Sequence, residues 1–145
     1  MKWKIYTVGK PALAYAKTGV AEYLKRLQRY TPCEHLIMRK GDAPEIESLL
    51  GARKDGVLNI IMDERGKALT TDQFTEKVRT WQLDSVKGVR CFIGGADGHN
   101  ATIRENADLL LGLSAFTLQH ELALVVLLEQ IYRAHTILRG EPYHR

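Results

Sequence analysis

The chain has 145 residues, with 21 Lys and Arg, 17 Asp and Glu, and a formal net charge of +4. This length suits a single domain over residues 1–145. An apolar share of 45% with a charged share of 26% excludes a disordered chain, a collagen-like repeat and a disulfide-rich scaffold. The longest wholly apolar run, from Leu122 to Leu128, is far shorter than the roughly 20 residues that cross a bilayer, so no membrane span is expected.

Strand-like and helix-like segments alternate along the chain. Short β-rich runs bounded by Gly or Pro indicate strands, and apolar residues recurring every three or four positions indicate helices. The predicted order is a strand over 3–8, a helix over 14–28, a strand over 33–38, a short helix ending at Gly51, a strand over 57–62, a helix capped by Thr70 or Thr71, a strand over 89–93, a helical turn over 102–106, a strand over 108–113 and a helix over 119–138. This alternation predicts an α/β fold with a mostly parallel sheet flanked by helices.

The basic charge is concentrated in the N-terminal quarter of the chain. Residues 1–40 carry nine Lys and Arg against two Asp and Glu, a net charge of +7, whereas residues 41–145 have a net charge of −3. This asymmetry favours a polyanionic partner such as nucleic acid, although a solvated basic face explains the charge equally well. The first ten residues lack the apolar stretch of a signal peptide, so the sequence predicts a cytoplasmic protein.

The two cysteines, Cys33 and Cys91, lie far apart in apolar, strand-like segments. We therefore expect buried, reduced thiols and neither a disulfide nor a metal pair. No metal-ligand spacing occurs elsewhere in the sequence, so no metal is expected.

Three segments follow predicted strands, where ligands bind in parallel sheets. Residues 62–67 are polar, residues 94–98 contain three glycines, and residues 113–120 are small, hydroxylic and apolar. The glycines match neither a dinucleotide fingerprint nor a phosphate loop, and each of the first two segments alone also fits a plain turn. In the third segment, Phe116 and the leucines could sandwich a flat ring; alternatively, Phe116 belongs to the core and Thr117 caps a helix.

The last helix and the tail carry two further signals. Leu122 to Leu128 is apolar around the whole helix, which favours a homodimer partner that covers its outer side. The tail residues can stack on bases, pair with phosphate and move a proton, although a frayed terminus is an alternative interpretation. These residues are Tyr132, Arg133, Arg139, Tyr143, His144 and Arg145.

Six stretches in chain order resemble the bacterial SPOUT-class methyltransferases that modify N3 of a pseudouridine in large-subunit rRNA. They are K-I-Y-T-V-G-K at 4–10, T-G-V-A-E-Y-L-K-R at 18–26, M-D-E-R-G-K at 62–67, F-I-G-G-A-D-G at 92–98, L-S-A-F-T-L-Q-H at 113–120 and I-Y-R-A-H-T-I-L-R-G-E-P-Y-H-R at 131–145. The resemblance covers essentially the whole chain.

The resemblance implies a homodimer whose C-terminal part forms a trefoil knot around S-adenosylmethionine. It also implies methylation of a pseudouridine, position 1915 in the family's 23S rRNA target, on assembled ribosomes. Matched to the family's motifs, the cofactor-binding residues are Met62, Gly95, Leu113, Ser114, Ala115, Phe116, Thr117 and Leu118.

Within this hypothesis, the tail supplies the chemistry at the substrate base. His144 is the candidate proton acceptor, although an RNA contact is equally open to it, and Tyr143 is a stacking or positioning group. Arg133 and Arg145 are candidates for stabilising the developing anion or anchoring phosphate. The helix residues Lys25, Arg26 and Arg29 are expected to contact rRNA phosphates.

The chain departs from the family pattern at several positions. Met62 replaces a leucine, Ala96 replaces a proline in the glycine-rich loop, and Glu121 replaces a proline after His120. Glu121 adds negative charge near the expected cleft and makes the role of His120 uncertain. The segment over 40–51 is also shorter and less basic than is usual in the family, so fewer RNA contacts are expected there.

Three other functions compete with this hypothesis. A non-enzymatic RNA-binding or ribosome-associated module explains the charge asymmetry but gives the glycine-rich loop no purpose. A related enzyme that methylates another RNA fits the same motifs. A nucleotide- or phosphate-binding hydrolase explains the sheet but lacks a phosphate loop, a nucleophile motif and a metal set.

Overall fold

The computed structural model describes residues 1–95 and 98–145 and contains five strands and five helices in this part of the chain. In chain order they are β1 (Lys2–Val8), α1 (Ala14–Leu27), β2 (Cys33–Met38), α2 (Ala43–Gly51), β3 (Val57–Ala68), α3 (Thr71–Leu83), β4 (Gly88–Ile93), α4 (Ala101–Glu105), β5 (Leu109–Gly112) and α5 (His120–Leu138). The order and type of the elements confirm the predicted alternation of strands and helices.

The strands form one sheet in the order β2-β1-β4-β3-β5, and every neighbouring pair is parallel. The α/β class with a parallel sheet is therefore confirmed. Because the strands are parallel, their carboxyl ends meet along one side of the sheet, which we call the carboxyl edge. The opposite side, where the strands begin, is the amino edge.

Each face of the sheet is covered by helices. On one face, Trp3 and Ile5 of β1 pack with buried residues of α1, α3 and α5. On the other face, Ile61 and Phe92 pack with Ile46 of α2 and with α4. All six residues of β4 are buried, as a central strand covered on both faces requires.

Strand β3 differs from the prediction, which ended it at Met62 and placed a polar turn after it. The strand continues to Ala68 because residues 63–66 form a bulge: Met62 and Lys67 both pair with Leu111 of β5. A Cβ atom on Gly66 would lie 2.7 Å from the backbone of Leu111, so only glycine permits this approach.

Helix α5 lies between α1 and α3 on the sheet. Leu124, Leu127 and Leu128 are buried there, whereas Leu122 and Val126 are half-buried. The neighbouring helices thus account for much of the apolar circumference that the sequence assigned to a dimer partner. The homodimer and the trefoil knot stay predictions.

Both cysteines are buried and free, which confirms the expected buried thiols. Burial raises the pKa of the Cys33 thiol to about 12, so it stays protonated. Across residues 1–95 and 98–145, no group of three His, Cys, Asp or Glu side chains could hold a metal ion. No helix of the described residues is long and apolar enough to cross a membrane.

A buried histidine makes the stability of the fold sensitive to acid. His135 Nε2 accepts a hydrogen bond of 3.1 Å from Trp3 Nε1 in the core. Burial, with the nearby positive charges of Arg139 and the chain's amino group, lowers the pKa of His135 to about 4 from 6.5. His135 is therefore neutral in the folded protein, whereas the unfolded chain binds a proton below about pH 6.5.

We expect the free energy of unfolding to fall as the pH drops from about 6.5 towards 4, with a contribution from His135 of about 2 kcal/mol at pH 5. Urea unfolding followed by tryptophan fluorescence at pH 7.5 and pH 5 measures this loss. The His135→Gln variant keeps an acceptor near Trp3 but does not titrate, so its loss should be smaller by that amount. Equal acid sensitivity of the two proteins would contradict the assignment.

Candidate active site

A cavity lies at the carboxyl edge, next to the bulge of β3 and beyond the ends of β4 and β5. Its volume is about 350 Å³, within the usual range for small-molecule sites. The walls come from the β3 bulge, the glycine-rich loop after β4, the segment between β5 and α5, and the first turn of α5. The structure thus brings together all three segments that the sequence singled out.

Most residues matched to the family's cofactor site line this single cavity. They are Met62, Gly95, Leu113, Ser114, Phe116, Thr117 and Leu118. Ala115, the eighth of the set, is exposed and is not part of the lining. The assignment of these residues to a cofactor stays a prediction, since the cavity shows only that they lie together.

The glycines of the loop after β4 have different roles. A Cβ atom on Gly94 would lie 3.2 Å from the backbone of Gly98 and from the ring of His99, so Gly94 permits close packing within the loop. Of the described residues beyond its chain neighbours, only Val8, at 4.0 Å, would be near a Cβ atom on Gly95, so these residues leave open space there. Ala96 and Asp97 of the same motif lie outside the described residues.

The buried side chain of His99 packs against this loop. Its Nε2 lies 3.2 Å from the carbonyl oxygen of Phe92, and a carbonyl can only accept, so Nε2 carries the proton. Burial lowers the pKa of His99, and the ring is neutral at neutral pH. This contact fixes the loop against the end of β4.

The segment between β5 and α5 rules out two alternatives that the sequence left open, a core position for Phe116 and a helix cap at Thr117. The Phe116 side chain is 83% exposed at the cavity mouth, so it is not a core residue. Thr117 does not cap α5, because Gln119 occupies that position; the Thr117 hydroxyl instead donates to Glu64 Oε2 at 2.7 Å. That bond joins this segment to the β3 bulge. The exposed ring of Phe116 is available to cover a ligand.

The remaining lining combines polar and apolar groups. The Asp63 side chain is only 4% exposed, and its Oδ1 accepts a hydrogen bond of 2.8 Å from the backbone of Arg65. Three lining residues that the sequence analysis did not select are Ile93, Leu111 and Ala123. The first two end buried strands, which is a signal that could have identified them, whereas Ala123 follows only from the packing of α5.

His120 lines the cavity, but the neighbouring Glu121 does not. The Glu121 carboxylate is buried and accepts hydrogen bonds from the backbone N–H groups of Ala12 and Leu13 at the start of α1. The charge of Glu121 thus lies beside the cleft, next to His120 and Gln119, but its carboxylate is engaged with the start of α1. Glu121 stabilises the end of a helix, as a carboxylate does at a helix N-terminus.

Three of the candidate catalytic residues of the tail, Arg133, Tyr143 and His144, lie together around Arg133. Arg133 forms an ion pair of 2.5 Å with Glu129, its guanidinium lies 4.7 Å from the ring centroid of Tyr143, and its Nη1 lies 3.1 Å from Nδ1 of His144. Because a guanidinium only donates, His144 Nδ1 accepts. Burial raises the pKa of Tyr143, whose hydroxyl also donates to Glu129 at 3.1 Å.

The basic end of α1 joins the tail in one surface. Arg26 pairs with Glu22 at 2.9 Å, and its guanidinium lies over the rings of Tyr23 and Tyr132 at 5.7 and 5.6 Å. Lys25 and Arg29, on the same stretch of the chain, are exposed, and Arg145 is exposed too. We call the combined set, Tyr23, Lys25, Arg26, Arg29, Tyr132, Arg133, Tyr143 and His144, the Tyr–Arg surface.

The cavity and the Tyr–Arg surface lie far apart in one chain. His120 at the start of α5 lines the cavity, whereas Arg133 on the same helix contacts His144. Thirteen residues of helix separate them, which corresponds to about 20 Å. Among the described residues, none from 124 onward lines the cavity.

Comparisons with known proteins agree on one family. The family model described as "Predicted SPOUT methyltransferase" matches residues 1–144. Curated relatives named "Ribosomal RNA large subunit methyltransferase H" include one from Thermus thermophilus, 46% identical over 145 residues, with 100% of this chain and 99% of the relative covered. Another, from Deinococcus radiodurans, is 41% identical over 146 residues with the same shares covered.

A solved structure shares the fold at low sequence identity. The crystal structure of tRNA (m1G37) methyltransferase from Aquifex aeolicus matches with a TM-score of 0.59 and 12% identity, covering 100% of this chain and 75% of that chain. At this identity, the match supports the arrangement of strands and helices and carries no information about substrate.

Proposed function

The chain belongs to the SPOUT methyltransferase family, and from that premise we propose that it methylates N3 of a pseudouridine in 23S rRNA. The proposed target is position 1915 in assembled ribosomes, in the cytoplasm, with S-adenosylmethionine as methyl donor. The proposal depends on one observation: all three motif segments line one cavity at the carboxyl edge.

The cavity fits a molecule of that kind. It offers apolar side chains for a flat ring, among them Met62, Leu113 and Leu118, together with the exposed ring of Phe116. Open space next to Gly95 allows a ligand to approach the backbone closely. The Asp63 carboxylate adds an acidic group to the lining, and Arg65, whose guanidinium lies 3.6 Å from it, adds a basic one.

S-adenosylmethionine supplies a methyl group on a positively charged sulfur, which becomes a neutral thioether when the carbon–sulfur bond breaks. The protein must align the acceptor nitrogen with this carbon and exclude water from the path between them. The pseudouridine N3 loses its proton as the nitrogen–carbon bond forms, so a proton acceptor or a stabilising cation is needed beside it.

Our candidate for the acceptor is His144, with Arg133 and Arg145 stabilising charge on the base or a phosphate and Tyr143 positioning the base by stacking. In the free protein, Nδ1 of His144 accepts from Arg133. His144 can therefore take up the substrate proton at that nitrogen only after Arg133 moves away. Substrate binding would provide this step if Arg133 turned towards the nucleotide's negative charge.

The distance between the cavity and the Tyr–Arg surface supports a homodimeric enzyme. Since about 20 Å of helix α5 separates the two within one chain, we propose that the tail of one protomer completes the cavity of its partner. The half-buried apolar residues of α5, Leu122 and Val126, remain available to such a contact. Sedimentation that shows only a monomer at working concentration would refute this arrangement.

The basic residues of α1 are proposed to contact rRNA phosphates. Replacing Lys25, Arg26 and Arg29 together by Glu should weaken ribosome binding at least tenfold, because three cations become anions on a surface that meets a polyanion. The wild-type protein should bind less tightly as salt rises, and the variant should lose most of that dependence. Titration of ribosomes at several salt concentrations measures both; normal binding by the variant contradicts this role.

The proposed function has a direct test. The protein is incubated with S-adenosylmethionine carrying a labelled methyl group and with ribosomes that lack the modification, and the labelled nucleoside is then mapped. We expect label at N3 of the target pseudouridine. Label in another RNA identifies a related methyltransferase with a different substrate, whereas tight ribosome binding without label favours a non-enzymatic module. Phosphate release without label favours a hydrolase.

A further inference from the structure

The basic residues of the N-terminal quarter separate onto opposite edges of the sheet. Helix α1 runs from the carboxyl end of β1 back to the start of β2, so its last residues, with Lys25, Arg26 and Arg29, lie at the amino edge. Lys10 follows β1 directly, and Arg39 and Lys40 follow β2, so these three belong to the carboxyl edge. We call Lys10, Arg39 and Lys40 the carboxyl-edge rim.

The turn that carries Arg39 and Lys40 is held in a fixed conformation. The Glu45 carboxylate accepts three consecutive backbone N–H groups, from Arg39 at 3.1 Å, Lys40 at 2.9 Å and Gly41 at 2.7 Å. These bonds, with that from Gly41 the strongest, lower the pKa of Glu45. Gly41 has φ +66, and a Cβ atom there would overlap the side chain of Val8, so the turn packs directly on the end of β1.

The carboxyl-edge rim adjoins the cavity of the same chain. Val8, on which Gly41 packs, is also the nearest neighbour of a Cβ atom on Gly95, at 4.0 Å. In the sheet order, β1 lies beside β4, and β2 lies beside β1. At roughly 4.8 Å between strands, the rim begins about 5–10 Å from the loop that follows β4.

The charges of the rim are available to a partner. All three side chains belong to exposed residues. Among the described residues, no carboxylate forms an ion pair with any of them. The two acids that follow the turn in sequence are engaged with backbone, since Glu45 binds the turn and Asp42 accepts from the N–H of Glu45 at 3.0 Å.

We propose that the carboxyl-edge rim binds rRNA phosphates next to the target nucleotide, in the protomer whose cavity holds the methyl donor. This inference rests on the proposed function, because rRNA is the polyanion that must reach this cavity. Lysine and arginine contacts to phosphate fix the register of a nucleic acid without reading its sequence. The Tyr–Arg surface then meets the substrate from the other protomer, so the RNA is held on two sides.

The main test removes the positive charges of the rim and compares this variant with a matched control variant. Lys10, Arg39 and Lys40 are replaced together by Gln; in the control, the exposed residues Lys54, Arg79 and Lys87 are replaced in the same way. The rim variant should raise the KM for unmodified ribosomes at least tenfold and reduce the salt slope of binding by about 2 to 3. Affinity for S-adenosylmethionine should not change, and the control should behave like the wild type.

A second measurement needs no substitution. Lysine acetylation of the wild-type protein, free and ribosome-bound, should show protection of Lys10 and Lys40 and continued reactivity of Lys54 and Lys87. The proposed role of the rim would be refuted if the two triple variants had equal effects. It would also be refuted if Lys10 and Lys40 were acetylated as readily in the ribosome-bound protein as in the free protein. Absence of methyl transfer by the wild type overturns the proposed function itself. If the wild type transfers the methyl group and the rim variant has the same KM and salt slope as the wild type, only this inference is overturned.

Discussion

Replacing Gly95 by Val should weaken S-adenosylmethionine binding at least 100-fold while leaving the fold intact. Among the described residues outside its chain neighbours, a Cβ atom at this position meets only Val8, at 4.0 Å, and Gly95 does not have a positive φ. The branched side chain would therefore project into space that the ligand needs, without straining the backbone. Calorimetric titration measures the affinity, and thermal unfolding checks that the melting temperature is within a few degrees of the wild type.

Two other glycines provide the controls for this experiment. Gly51 has no atom within 4 Å of an added Cβ and lies at the end of α2, so Gly51→Val should change neither affinity nor activity. In contrast, Gly94→Ala should lower the melting temperature, because its Cβ would lie 3.2 Å from the backbone of Gly98. Unchanged affinity in Gly95→Val would show that the glycine-rich loop does not contact the cofactor.

Removal of the His144 ring should slow methyl transfer at least 100-fold in a single turnover, the usual contribution of a positioned acid or base. Because His144 lies on the Tyr–Arg surface and not at the cavity of its own chain, His144→Ala should bind S-adenosylmethionine as the wild type does. Rapid mixing with labelled donor and unmodified ribosomes, with both components above their dissociation constants, separates the rate of transfer from binding. Full single-turnover activity would eliminate His144 as proton acceptor.

A mixed dimer tests where His144 acts. His144→Ala has an intact cavity and Gly95→Val has an intact tail, so a dimer of one chain of each contains one complete pair if the tail serves the partner's cavity. Mixing the two inactive variants should then restore up to about half of the activity per mixed dimer. If each tail served its own cavity, every chain of the mixture would remain defective and activity would not return.

The fold could be predicted almost completely because the signals for it are local. Glycine and proline end each segment, and apolar periodicity distinguishes a strand such as 57–62 from a helix such as 119–138. The extension of β3 was missed because residues 63–66 are polar and contain Gly66, features that are typical of a turn. Only pairing with β5, more than forty residues later in the chain, makes this segment a bulged strand.

The candidate site was predictable where it depends on strand ends and not where it depends on distant contacts. The three segments that follow the predicted strands 57–62, 89–93 and 108–113 could be selected because parallel strands bring their carboxyl ends together. The Tyr–Arg surface could not be predicted, since contacts such as that between Arg26 and Tyr132 join residues more than one hundred positions apart. The partners of Glu121 could not be predicted for the same reason, since Ala12 and Leu13 lie more than one hundred positions away.

The hydrogen bond between Trp3 and His135 has a consequence for how the chain acquires its structure. It links positions 132 residues apart, and β1 is also paired with β4, from the second half of the chain. Strand β1 therefore has no complete packing environment until α5 has been synthesised. A nascent or truncated chain that ends before α5 exposes the apolar face on which α5 packs, so β1 reaches its native packing only after α5 is available.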